Sequence, residues 1–103
     1  MDKNIQDYNF IKQLQLLPCV KAIWLFGSRA RGDHSGRADV DLAIICPDAT
    51  DNDWHKIISI VEEADTLLKI DCIRFDKERL SQELYENILK DKKVIYAKKT
   101  DQI

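Results

Sequence analysis

At 103 residues the chain is long enough for one compact domain and too short for two, so residues 1–103 are expected to form a single unit. Its 45% apolar and 33% charged residues are those of a folded globular protein, and a formal net charge of −2 offers no global attraction to nucleic acid or to an anionic membrane. No apolar run approaches the roughly 20 residues that span a bilayer. Met1-Asp2-Lys3-Asn4 leads into a segment without the apolar stretch of a signal peptide, so the cytoplasm is the expected compartment. Cys19, Cys46 and Cys72 are odd in number, share no metal-ligand spacing and sit among apolar neighbours. They are expected to be reduced, packed residues.

In chain order, Ile5, Tyr8, Ile11, Leu14 and Leu17 recur at near-helical spacing, and Pro18 ends that helix. Val20 to Phe26 is a short apolar run, bounded by Gly27 and rich in β-formers, and predicts a strand. Gly27 to Arg37 is polar and carries all three glycines. Val40 to Cys46 predicts a second strand. Side chains alternate along a strand, so one face carries Val40, Leu42, Ile44 and Cys46 and the other Asp39, Asp41, Ala43 and Ile45. Its later half is apolar on both faces, which marks it as central and covered on both sides.

Pro47-Asp48 turns the chain. Trp54, Ile57, Ile58, Val61, Ala64 and Leu68 then predict a helix capped by Asp51 or Asp53. Ile70 to Phe75 predicts a third strand. Leu80, Leu84, Ile88 and Leu89 predict a further helix, Asp91-Lys92-Lys93 a turn, and Val94 to Ala97 a last strand. The order α-β-α-β-α-β-α-β gives an α/β (α+β) domain: a small mixed sheet flanked by helices.

Chemistry-bearing residues gather in three places. Asp39 and Asp41, two apart on a strand, lie on one face with Cα atoms roughly 6–7 Å apart. Asp71 begins the next strand. If the second and third strands are neighbours, three carboxylates converge. Bare carboxylates that close raise one another's pKa, a cost that a bound cation removes. All-oxygen ligands favour a hard ion such as Mg²⁺ or Mn²⁺. Alone, an Asp-x-Asp pair is also what the solvated face of an edge strand looks like. Here the strand turns apolar within two residues, so the acids sit at the mouth of a buried sheet.

Directly after the first strand comes Gly27-Ser28-Arg29-Ala30-Arg31-Gly32. A glycine there allows a sharp turn and close approach to a ligand, and the following amides with the Ser28 hydroxyl can cradle phosphate oxygens. Arg29, Arg31 and Arg37 place three permanently charged donors within nine positions. Anion-binding groups beside a cation site suggest a metal–phosphate ligand.

Leu25-Phe26-Gly27-Ser28-Arg29-Ala30-Arg31-Gly32, Ala38-Asp39-Val40-Asp41-Leu42-Ala43-Ile44 and Ile70-Asp71-Cys72-Ile73 closely resemble the DNA polymerase β-like nucleotidyltransferases. The branch they resemble most is the minimal nucleotidyltransferases (MNT proteins) of bacteria and archaea. The shared pattern is Gly-Ser-x-Ala-x-Gly, a spacer, Asp-x-Asp and a distant third Asp, and the resemblance covers nearly the whole chain. It implies a single catalytic domain in which Gly27 and Ser28, aided by Arg29 and Arg31, hold the triphosphate of ATP. Asp39, Asp41 and Asp71 would be the metal ligands and catalytic acids, with Asp71 helping to activate the acceptor hydroxyl. Two Mg²⁺ (or Mn²⁺) ions ~4 Å apart would clamp the attacking and leaving oxygens. One departure is Ala38, where the family often has serine; it removes a polar contact near the metal site, not a ligand.

The resemblance also implies a partner. Larger relatives carry a further domain for the acceptor, and this sequence has no residues left for one. The acceptor is then expected on another chain or on a second copy, as a hetero-oligomer or homo-oligomer. In the MNT branch the companion is a small helical HEPN toxin, and AMP from ATP is added to a toxin tyrosine. The resemblance thus implies a type VII-like antitoxin that is a protein adenylyltransferase. Two alternatives stay open: a docking module that neutralises its partner without catalysis, and a two-chain small-molecule nucleotidyltransferase. His34 and His55 are read as polar loop and helix residues, and Trp24 as core. Trp54 is read as a helix start packed on the sheet or as partner surface. Lys90, Lys92, Lys93, Lys98 and Lys99 form a solvated end. Tyr85 and Tyr96 have no partner legible in the sequence.

Overall fold

The computed structural model describes residues 5–32 and 39–99. A 3-10 turn, Ile5–Asp7, leads into helix α1 (Asn9–Gln15). Strand β1 (Ala22–Phe26), the short helix α2 (Ser28–Arg31) and strand β2 (Val40–Ile45) follow. Helix α3 (Asp51–Glu62), strand β3 (Ile70–Arg74), helix α4 (Gln82–Asp91) and strand β4 (Lys93–Ala97) complete the described fold. The four strands form one mixed sheet in the order β3-β2-β1-β4. β1 is antiparallel to β2 and β4, and β2 is parallel to β3. The small mixed α+β sheet expected from the sequence is what forms, with β2 in the interior of the sheet.

The two faces of the sheet have different tasks. Val40, Leu42 and Ile44 of β2 are buried with Ile23 and Leu25 of β1, and Phe10, Ile11 and Leu14 of α1 and Ile57 and Val61 of α3 cover them. Burying side chains of this size contributes about 1.5–3 kcal/mol each, so this layer is the main source of stability. On the opposite face the aromatic rings of Trp24, Phe75 and Tyr85 join α4 to the sheet. Trp24 meets Phe75 edge-on at 4.8 Å, and Phe75 stacks on Tyr85 at 4.8 Å. Tyr85 thus has its partner, and Tyr96 packs against the main core.

Several boundaries differ from the sequence pattern. The first helix is interrupted at Tyr8, which caps α1 in an extended conformation. α3 stops at Glu62, and Ala64 and Leu68 pack against the core from the connection to β3. Apolar periodicity records burial, which a well-packed loop also provides. The cap of α3 is Thr50, not Asp51 or Asp53. Thr50 Oγ1 accepts from the Asp53 amide at 3.1 Å, and the Asp53 carboxylate accepts from the Thr50 amide at 3.0 Å, a reciprocal capping box. α4 starts at Gln82, after Leu80, with Ser81 as its cap, and runs through Asp91, so Lys92 alone links it to β4. Among the described residues no helix is long and apolar enough to cross a membrane.

Candidate active site

The acids are placed by strand register. Phe26 of β1 pairs with Asp41 of β2, and Asp41 pairs with Asp71 of β3. Register partners in neighbouring strands point to the same face with Cα atoms about 5 Å apart. Asp41 and Asp71 therefore stand side by side on the face away from α1 and α3, with Phe26 beyond Asp41. Asp39 lies just before β2 and is exposed. This row is at one end of the sheet; further along the same face Trp24, Ala43 and Ile73 are register partners, where the aromatic cluster and α4 sit.

Gly27 closes the row from the β1 side. Its φ of +75° is in the left-handed range that glycine tolerates, and it is the N-terminal cap of α2. A side chain there would run into Asp41: a Cβ would strike Oδ2 and lie 3.3 Å from Cγ. The absence of a Cβ lets the carboxylate and the turn share that space. Ser28, the first residue of α2, is half-buried. Gly32, also at positive φ (+82°), ends α2, and among the described residues nothing lies within 4 Å of where its Cβ would be.

Burial first, then the neighbouring Asp71 and Asp39 carboxylates, raise the pKa of Asp41, against a smaller opposing effect of Arg31. Lys69 Nζ approaches Asp71 Oδ1 only to 4.0 Å, with the lysine exposed and the aspartate about half-exposed, a pair of little strength. The acids thus offer hard-oxygen donors, the chemistry that suits a magnesium-like ion. Among the described residues no three acidic, histidine or cysteine side chains are already drawn together as a ligand set. Backbone register brings Asp41 and Asp71 together; the carboxylates are not closed on a centre.

Arg29 is half-buried and Arg31 exposed on α2, and Arg31 Nη1 donates to Asp91 Oδ2 at 3.1 Å. Arg37, Ala38 and His34 lie outside the described residues. His55 is exposed on α3, lining a groove of about 580 Å³ with Leu17, Asn52 and Lys56 and away from the acid face. A second groove of about 560 Å³ runs along α4 past Leu80, Tyr85 and Leu89. Neither includes Asp39, Asp41 or Asp71. Trp54 packs against the core, and Lys90, Lys92, Lys93, Lys98 and Lys99 are exposed. Sequence reasoning missed Phe26, Lys69 and Asp91 as neighbours of the site. Nothing local signals the contact of Asp91 with Arg31, sixty residues earlier. The Thr50-x-x-Asp53 spacing does signal the α3 cap.

Residues 9–101 match the family described as Polymerase beta, Nucleotidyltransferase. The chain belongs to that family. Comparison with curated proteins finds no match. Among solved structures, a toxin–antitoxin crystallised with AMP-PNP is similar, at 24% identity and a TM-score of 0.59 over 87% of this chain and 73% of the other. The complex of a tri-AMPylated Shewanella oneidensis HEPN toxin with its MNT antitoxin matches at 23% identity and a TM-score of 0.52, over 87% and 69%. A nucleotidyltransferase fold from Sulfolobus solfataricus matches at 17% identity and a TM-score of 0.54, over 85% and 74%. At these identities the likeness establishes a shared fold, and this nucleotidyltransferase sheet is the same fold that occurs in MNT antitoxins bound to HEPN toxins.

Proposed function

We propose that this nucleotidyltransferase transfers AMP from ATP to a hydroxyl of a helical protein partner. The observation that carries the reading is the Asp41–Asp71 register beside the Gly27 turn in a chain of this family. Residues 1–103 act as one catalytic unit. The Ser28 hydroxyl and the amides after Gly27 receive the triphosphate, and Arg29 and Arg31 offset its charge. Asp39, Asp41 and Asp71 would hold magnesium or manganese. When bound, the metal supplies Lewis-acid stabilisation of the charge on the phosphoryl oxygens. The acceptor oxygen attacks the α-phosphorus, the bond from that phosphorus to the bridging oxygen breaks, and pyrophosphate leaves. Asp71, on the edge strand β3, takes the acceptor's proton.

The partner reading draws on the fold likeness. A HEPN-type toxin with a tyrosine acceptor, in the cytoplasm, makes the chain an antitoxin of type VII kind. Aromatic and apolar residues near the site suit a protein acceptor: Phe26 flanks the acids, and Leu67 stands fully exposed in the connection leading to Asp71. Isothermal titration of Mg²⁺–ATP into the full chain tests the nucleotide half. Saturable binding, lost in Asp39→Asn/Asp41→Asn, is expected; heat equal in both proteins and no greater than dilution would remove the enzymatic reading.

A further inference from the structure

The two edges of the sheet are built differently. β4, one edge, meets β1 across a bulge between Ile23 and Trp24, and exposed Lys93, Lys98 and Lys99 stand on it or just beyond. Bulges and lysines are features that keep an edge strand from pairing with another chain. β3, the other edge, keeps an unbroken register with β2 and has no lysine between Ile70 and Arg74. Arg74 turns its guanidinium inward to the Cys46 and Ala49 carbonyls. Two bonds fix which backbone groups of β3 face outward. The Val40 amide donates to the Lys69 carbonyl at 2.9 Å, and the Phe75 amide to the Ile44 carbonyl at 2.9 Å. Alternate residues of a paired strand turn N–H and C=O to the same neighbour, so Asp71 and Ile73 face β2, and Ile70, Cys72 and Arg74 present theirs to the outside. Among the described residues no backbone hydrogen bond reaches those three from beyond β3.

We propose that β3 receives the acceptor as an added strand: an extended, hydroxyl-bearing segment of the protein partner pairs with the outward backbone groups of Ile70, Cys72 and Arg74. This rests on the transfer reading above and deepens it. Asp71 selects the occupant. Paired residues on neighbouring strands share a face about 5 Å apart, so a segment residue opposite Asp71 lies on the acid face, beside the carboxylate that takes the proton. Main-chain pairing supplies affinity, and seats for alternate side chains supply specificity. A pocket of about 220 Å³, lined by Glu62, Thr66, Leu68 and Ile70 among others, stands at the start of β3 next to exposed Leu67 and has room for a side chain of the segment. A second copy of the chain fits less well. Antiparallel pairing about Cys72 sets Asp71 opposite Ile73 and Arg74 opposite Ile70, which matches no opposite charges.

The test is residue-resolved hydrogen–deuterium exchange by NMR on the full chain, alone and in complex with a HEPN-type helical partner, beside the mass of that partner after Mg²⁺ and ATP. In the free chain the amides of Asp71, Ile73 and Phe75 should exchange slowly, and those of Ile70, Cys72 and Arg74 at least about tenfold faster. In the complex these three should slow to the rate of their neighbours and show nuclear Overhauser contacts to backbone protons of the partner. A partner that gains AMP while the three amides exchange as in the free chain, or lack those contacts, overturns the added strand and leaves transfer standing. Slow exchange of all six amides in the free chain also overturns it, and a doubled mass by sedimentation would then identify a second copy on the edge. A partner that gains no AMP removes the transfer reading, and this inference with it.

Discussion

Asp41 and Asp71 are register partners on adjacent parallel strands, which sets two carboxylates side by side at the mouth of the sheet without any sequence proximity between them. A crossover through α3 between the parallel strands β2 and β3 is what allows residues thirty apart to meet in this way. Packing against Gly27 and burial then make the position costly for a charged Asp41.

That cost predicts a pH effect. Because the folded-state pKa of Asp41 is raised by burial and by Asp71 and Asp39, the folded protein binds more protons than the unfolded chain above the ordinary carboxylate value of 3.8. Stability therefore falls as pH rises from that value through the raised pKa, and levels off above it. Asp41→Asn removes the charge and should raise the metal-free melting temperature near neutral pH, while abolishing any further rise on adding Mg²⁺. Thermal melts at several pH values, with and without Mg²⁺, check both halves. A lower metal-free melting temperature in the variant would contradict the electrostatic account.

Gly27→Ala and Gly32→Ala separate backbone strain from crowding. Both positions have positive φ, which costs a non-glycine residue roughly 1–2 kcal/mol. Among the described residues nothing crowds a Cβ at Gly32, so its variant should lose about that amount and keep Mg²⁺–ATP binding. At Gly27 the new methyl group also displaces the Asp41 carboxylate, so the larger stability loss should come with loss of nucleotide binding. Urea unfolding and titration on both proteins decide it.

How much of this was legible in the sequence differs by element. The alternation in Val40–Ile45 exposed both the buried face and the acid face, because a strand covered on two sides leaves few polar positions. The turn at Gly27 after β1 and the place of Asp41 on the face opposite the core were readable, because a strand's end and its alternation both leave a mark in the sequence. The ends of the helices were not. Ala64 and Leu68 kept apolar spacing while packing from a loop, and Tyr8 broke a periodic segment that pattern alone continues. Long-range partners such as Arg31 with Asp91 depend on tertiary placement and have no sequence signal.

Thr50→Ala probes a cap remote from the acids. Loss of the Thr50 Oγ1 bond to the Asp53 amide at 3.1 Å should cost about 1 kcal/mol. A shift in the urea midpoint with unchanged Mg²⁺–ATP affinity is expected. Loss of nucleotide binding would show that α3 supports the site more directly than its packing on the opposite face implies.

The three cysteines should be slow to react in the native protein. All are free; burial pushes the Cys72 thiol up to about 12 and Cys46 up to about 11, and raises Cys19 as well. At pH 8 only about one Cys72 in 10⁴ is thiolate, the reactive form. Timed alkylation with mass readout should show all three labelling far faster in urea than in the native state.

The central claim is nucleotidyl transfer to a partner's hydroxyl, and intact-mass spectrometry tests it most directly. A HEPN-type helical partner is incubated with this protein, Mg²⁺ and ATP, beside a reaction with Asp39→Asn/Asp41→Asn. The account predicts mass gains of whole AMP units on the partner, on tyrosine by fragmentation, absent with the variant. An unmodified partner in a stable complex with the wild-type chain would contradict it and identify the protein as a docking module built on a nucleotidyltransferase fold.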